Sequence, residues 1–158
     1  MEEGRRKKGG RIIKILLISP LGFPINKKTS YAGIEKLVYQ YSQELIKNHT
    51  VGVWGHADSE FPEGVINYAI KPSIGQNLFD KAELDSYLSY QSTIYKYDVI
   101  HDFSHSHFIA RYNSPHPTLN IFWHNPLEIQ YPKAPYNIIA LSEWARRAFE
   151  RAYRQKAK

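Results

Sequence analysis

The chain has 158 residues, about the length of one domain, and its 42% hydrophobic and 23% charged side chains leave ample material for a core. It contains no cysteine, which excludes disulfides, thiolate metal sites and a cysteine nucleophile, and fits a cytoplasmic protein. The net charge of +6 gathers at the ends: residues 1–11 hold five Lys or Arg against two Glu, residues 142–158 hold six against two, and the stretch between sums to −1. A nucleic-acid-binding domain carries its positive charge on a folded face, so nucleic acid is not an expected partner. A solvated tail and helix face is one reading of the basic ends; contact with an acidic membrane surface is the other.

Residues 1–10 read as a flexible basic leader with no hydrophobic segment of signal-peptide type behind it. Arg11–Ser19 (RIIKILLIS) is β-branched and nearly all apolar, as in a strand buried on both faces of a parallel sheet, and is far too short to span a bilayer. From Gly33 to Lys47, apolar residues Ile34, Leu37, Val38, Tyr41, Leu45 and Ile46 recur at helical spacing, with Glu35, Lys36, Gln40 and Glu44 expected opposite them. Thr50–Trp54 and Val65–Ile70 read as strands. Leu78–Tyr97 reads as a longer helix with Leu84, Tyr87, Leu88, Gln91 and Ile94 inwards. Asp98–His101, Leu119–Trp123 and Asn137–Leu141 are short, apolar and β-branched. Ser142 caps a last helix through Ala145, Ala148, Phe149 and Ala152. Strands alternate with helices, which predicts an α/β domain over residues 11–158 with a doubly wound, mainly parallel sheet and helices on both faces.

In such a sheet ligands bind beyond the carboxyl ends of the strands. That rule selects the loop Pro20–Gly33, the stretch Asp102–His107, the trio His124-Asn125-Pro126, and Ser142-Glu143. The first loop is not a dinucleotide fingerprint, because Gly22 and Gly33 stand eleven positions apart, and no Gly-Lys-Ser/Thr makes it a P-loop. Ala32-Gly33 opens a helix, where free N–H groups and the helix dipole hold phosphate. Alternatively, Gly33 only lets the helix pack closely on the sheet. His101, His105 and His107 with Asp102 suggest a metal, but the spacing completes no ligand set. Local hydrogen bonding, or a ligand-facing His105 or His107, are the readings left open, and no metal is expected. His124 is either structural or part of the same edge. No Gly-x-Ser-x-Gly elbow supports a serine hydrolase.

Taken in order, YAGIE (Tyr31–Glu35), NHTVGVW (Asn48–Trp54), YDVIHDFSHSH (Tyr97–His107), IFWHNP (Ile121–Pro126) and IIALSEWARRAF (Ile138–Phe149) resemble the N-terminal domain of GT-B glycosyltransferases. The resemblance is nearest to the retaining enzymes of glycosyltransferase family four, with glycogen synthase further off, and covers nearly everything beyond residue 11. It implies a Rossmann-like acceptor-side domain facing a second, donor-binding domain across a cleft. Gly33, with Ala32 and Lys28, would meet the donor diphosphate. Ala32 stands where the family has a second glycine. His124 would contact the transferred sugar near the reacting centre, and His105, with His107, Asn125, Ser142 and Glu143, would line the acceptor side.

The reaction implied is metal-independent transfer from a nucleotide-sugar, with no separate cofactor, to a sugar acceptor; lipid-linked and glycan-linked acceptors are both open. The family's donor-binding half is not among these residues, which predicts part of a longer chain or a stand-alone domain that needs a partner. An uncovered cleft wall around Phe23, Phe108 and Trp123, and a final helix presenting Trp144, Phe149 and Tyr153 beside Arg146, Arg147 and Arg151, predict self-association or a cognate subunit. The reading from a different class is a non-catalytic module that recognises a glycan or a partner protein.

Overall fold

A computed structural model of the chain describes residues 10–28, 33–70, 93–105, 107, 109, 116–122 and 137–153. Their six strands are β1 (Lys14–Ile18), β2 (Thr50–His56), β3 (Ile66–Ile70), β4 (Val99–Asp102), β5 (Thr118–Phe122) and β6 (Ile138–Ala140). Their two complete helices are α1 (Gly33–Leu45), between β1 and β2, and α2 (Glu143–Tyr153), after β6. The strands form one sheet in the order β3-β2-β1-β4-β5-β6, with every neighbouring pair parallel. This is an α/β fold with a Rossmann-like parallel sheet.

β1 lies at the centre, flanked by β2 and β4, so its side chains have protein on both faces and Ile15–Ile18 are all buried. That explains its unbroken apolar run. The strand starts later than expected, because Arg11 and Ile12 precede the first paired residues, Lys14 and Thr50. Ile12 is accordingly exposed. β2 runs two residues beyond the expected Trp54, since Gly55 and His56 pair with Ala69 and Ile70 of β3. β4 is displaced by one residue: Asp98 stays outside the ladder and its carboxylate accepts the Lys14 N–H at 2.7 Å.

The in-register partners share a face of a parallel sheet, which assigns each helix to a side. Ile15, Leu17, Val51, Val53, Phe103 and Ile121 form one cluster with Val38 of α1. Leu16, Ile18, Trp54 and Ile100 form the opposite cluster with Leu21, Ile94, Tyr97 and Ile109. Register then carries Ile18 to Asp102, to Asn120 and to Ile138, so Ile138 lies on the second face. Phe149 and Tyr153 of α2 pack on Ile138, and α2 therefore covers the face opposite α1. Of the expected helix Leu78–Tyr97, residues 78–92 lie outside the described residues; Ile94 at its end is buried as expected. Among the described residues no helix is long and apolar enough to cross a membrane.

α1 is rotated from its expected setting. Its buried stripe is Glu35, Val38 and Ser42, while Leu37, Tyr41 and Leu45 are half-buried against the same core. Glu35 was expected in solvent and is 6% exposed instead. Tyr39 also packs on the core, so the helix turns its Glu35–Val38–Ser42 edge to the sheet and spreads its large residues to either side.

Candidate functional site

The chain leaves β1 towards β2 and β3 on one side, and resumes at β4 to build β5 and β6 on the other. The reversal lies between β1 and β4, and the carboxyl ends of these two strands are where sheets of this kind hold their ligands. Ile18 and Asp102, the last residues of the two strands, are register partners, and the Phe103 N–H still reaches the Ile18 carbonyl at 2.8 Å. The loop after β1 and the turn after β4 therefore start side by side.

The first loop is anchored at two points. Ser19 is buried and donates its N–H to the Trp54 carbonyl at 2.9 Å. Ile25 enters the core on the α1 face, its N–H donating to Ser59 Oγ at 2.9 Å while its carbonyl accepts the Glu60 N–H at 2.6 Å. Between the anchors Leu21 turns into the core on the other face, while Phe23 is 51% exposed and, beyond Ile25, Lys27 and Lys28 are exposed. The Lys28 N–H donates to Asn26 Oδ1 at 2.9 Å, a side-chain turn that holds the backbone there. Ala32 lies outside the described residues. Gly33 begins α1 and is exposed, and a Cβ built on it would meet no atom of the described residues within 4 Å. Close packing therefore does not account for a glycine at this position.

The three histidines in and after β4 diverge. His101 belongs to the α1 face, where its ring lies 5.6 Å from that of Tyr41, and burial pushes it down to about 4, so it is neutral at physiological pH. His105 is half-buried at the carboxyl edge. His107 is fully buried, with a positive φ of 41°, and its Nδ1 lies 3.9 Å from Asp102 Oδ1. Among the described residues no group of three His, Cys, Asp or Glu could hold a metal ion. The strand period separates His101 from the other two: it is one residue before the last of β4 and projects to the other face.

Asp102 stands on the expected edge, but its complete burial was not expected. It is fully buried, its Oδ1 accepting the Ser104 hydroxyl at 2.6 Å and the Ser104 N–H at 2.9 Å. Burial pushes its carboxyl up to about 7, outweighing the hydrogen bonds from Ser104 and from the Ile109 N–H, which favour the ionised form. Glu35, in the first turn of α1, is pushed up by burial as well, against its own backbone N–H. Asp102 can thus carry a proton well above the usual carboxylate range, and Glu35 is shifted in the same direction. A sequence signal for Asp102 was present in its position after three strand residues, where the side-chain alternation points it inwards. For Glu35 the apolar pattern pointed the other way.

His124 and Asn125 lie outside the described residues; β5 is described up to Phe122. Beyond β6, Ser142 Oγ accepts the Ala145 N–H at 3.1 Å, the cap expected of it, which leaves its hydroxyl proton for another acceptor. Glu143 is exposed and paired to Arg146 at 2.6 Å and Arg147 at 2.8 Å; these two guanidinium groups hold its carboxyl down to about 2. Three strand spacings of about 4.8 Å place β6 roughly 14 Å from β1 along the edge. Ser142 and Glu143 therefore share the edge with His105 without adjoining Gly33. Trp144 is 56% exposed, whereas Phe149, expected on the surface beside it, is fully buried under Ile138 and Tyr153. Phe108 and Trp123 lie outside the described residues. Comparison of the chain with protein-family models and with curated proteins finds no match.

Proposed function

We propose that the chain is the acceptor-side half of a retaining, metal-independent glycosyltransferase that moves a sugar from a nucleotide-sugar to a sugar acceptor. The observation that carries this reading is Gly33: it heads a helix at the ligand edge of a parallel sheet and has no packing reason to lack a side chain. It adds to the five ordered motifs that resemble the family. In such a transfer negative charge builds on the leaving diphosphate. The N–H groups at the start of α1, with Lys28, would meet that charge without a metal. His105 on the neighbouring turn, His124 and Asn125 after β5, and Ser142 with Glu143 after β6 would form the wall towards the acceptor and the transferred sugar, whereas His107, also expected there, is fully buried beneath it. The other wall would come from a donor-binding domain or subunit, and the basic ends would favour an acidic membrane surface if the acceptor is lipid-linked. The second reading, a non-catalytic glycan- or partner-binding module, is favoured by Ala32, which stands where the family it resembles has a second glycine for close approach to phosphates.

The test is to incubate the chain with a panel of sugar nucleotides and acceptors, alone and with a family donor-binding domain in trans. The chain alone should neither transfer sugar nor bind a nucleotide tightly. Transfer restored in trans supports the enzyme. Submicromolar donor binding by this chain alone would overturn the assignment of halves, and glycan binding without transfer in trans would favour the module.

A further inference from the structure

Seven large hydrophobic side chains stand exposed among the described residues, and three of them crowd into one short stretch: Ile139, Leu141 and Trp144, between 38% and 56% exposed. They span the passage from β6 into α2. β6 is the last strand of the described sheet, so its side away from β5 carries no further described strand. Strand alternation sends Ile138 under Phe149 of α2 and Ile139 to the opposite face, where the core around Val38 of α1 reaches Ile121 of β5 and leaves Ile139 out. α2 is itself divided lengthwise. Ala145, Ala148 and Phe149 are buried, which fixes the face turned to the sheet. At 3.6 residues per turn, Trp144, Arg147 and Arg151 then lie within about 60° of one another along one flank. Glu143, Arg146 and Glu150 hold the outer face, with Arg146 bridging the two acids at 2.6 Å each. Arg147 also touches Glu143, through Nε alone at 2.8 Å, so its two terminal nitrogens remain for another anion. Arg151 is exposed and has no acidic partner among the described residues. Residues 142–158 carry six Lys or Arg against two Glu, so the segment as a whole is positive.

We infer that this surface docks on a bilayer rich in acidic lipids, with Leu141 and Trp144, flanked by Ile139, entering the headgroup layer while Arg147 and Arg151 meet the lipid phosphates and carboxylates. An exposed indole beside aliphatic side chains and a row of guanidinium groups matches a surface that is anionic on top and apolar beneath. Tryptophan suits that depth because its ring is apolar and its N–H is polar. Apolar burial and attraction to anionic headgroups add in such contacts, so neither has to be strong alone. A second copy of the chain fits less well. Two-fold pairing of this face sets Arg147 and Arg151 against their own copies, and three partly exposed side chains fall short of the roughly 800 Å² that a stable interface takes from each partner. Nucleic-acid phosphates meet the arginines but give the apolar side chains no matching environment. The membrane contact that the proposed function ties to a lipid-linked acceptor thus has a surface of its own, which does not depend on the transfer reaction.

Cosedimentation of the whole chain with vesicles tests it, using phosphatidylcholine alone and with about one third phosphatidylserine, and no sugar donor or acceptor. Partition onto the acidic vesicles should be at least about tenfold stronger, and most of it should vanish in about 0.5 M salt, where screening is short-ranged. Arg147→Ala combined with Arg151→Ala should weaken it at least about fivefold. Trp144→Ala should weaken it at least about threefold, and Trp144→Tyr, which keeps an interfacial aromatic, should retain most of it. All these side chains are exposed, so circular dichroism should show folded variants; should one not fold, the lipid and salt comparison in the wild type decides. Equal binding to both kinds of vesicle, no binding, or variants that bind like the wild type would overturn the inference. So would a dimer in sedimentation velocity that Trp144→Ala dissolves while vesicle binding is unchanged. Sugar transfer is not read in this assay, so its failure and that of the glycosyltransferase reading are told apart.

Discussion

Replacing Gly52 by alanine probes the packing that holds β4 in place beside β1. Gly52 is on β2, in register with Leu16, and Tyr97 lies across it on the second face of the sheet. A Cβ at Gly52 would fall on the Tyr97 hydroxyl, 2.7 Å from Cζ and 3.0 Å from Cε2 of Tyr68. The Tyr97 ring is 6% exposed and donates its hydroxyl to Tyr68 at 2.8 Å, so it cannot swing away without giving up that bond. Moving the ring by about 1 Å in a packed core costs about 1–3 kcal/mol. Losing the hydrogen bond adds about 1 kcal/mol, and relief from glycine in a strand returns about 0.5–1 kcal/mol. The net expectation is a loss of about 2–3 kcal/mol, or a fall in Tm of roughly 5–10 °C for a chain of this size. Urea unfolding followed by circular dichroism measures it. The control is Tyr97→Leu, which removes the obstacle. Gly52→Ala should cost at least about 1 kcal/mol less in that background than in the wild type. An alanine variant within about 0.5 kcal/mol of the wild type, or strict additivity with Tyr97→Leu, would refute the steric account.

Gly33→Ala is expected to leave stability unchanged or raise it by up to about 1 kcal/mol, since the new methyl group enters open space and alanine favours helix; calorimetry checks this, and a clear loss would restore the packing explanation. Glu35→Gln should become more stabilising relative to the wild type as pH rises from 4 to 8. The buried acid is raised above its ordinary 4.5 and weakens the fold once the unfolded chain ionises; thermal melts of both proteins across that range measure the difference. Ser142→Ala removes the acceptor for the Ala145 N–H and should cost about 1 kcal/mol, read by urea unfolding, whereas Ser142→Asp should retain most of it.

Much of the architecture was legible in the chain itself. The apolar run within Arg11–Ser19 demanded a strand covered on both faces, helical spacing marked a helix over Gly33–Lys47 that ends two residues sooner at Leu45, and Ser142 marked the start of the last helix. These are local matters, set by the period of the side chains and by the chemistry of caps and turns. The carboxyl-edge rule likewise picked out Gly33 and the turn after β4 before their geometry was known. Tertiary structure alone decided the rest. The order β3-β2-β1-β4-β5-β6 puts residues 18 and 102 side by side, a neighbourhood no local pattern encodes. Glu35 is buried because α1 is oriented by everything packed against it, including Tyr39, rather than by its own apolar stripe. His101, His105 and His107 look like one cluster on paper, yet strand alternation and the turn at positive φ send them three ways. Asp102 reads as an ordinary acid until the sheet and its own turn close over it. Whether a polar group is solvated depends on what distant segments cover it, and that is a property of the folded chain.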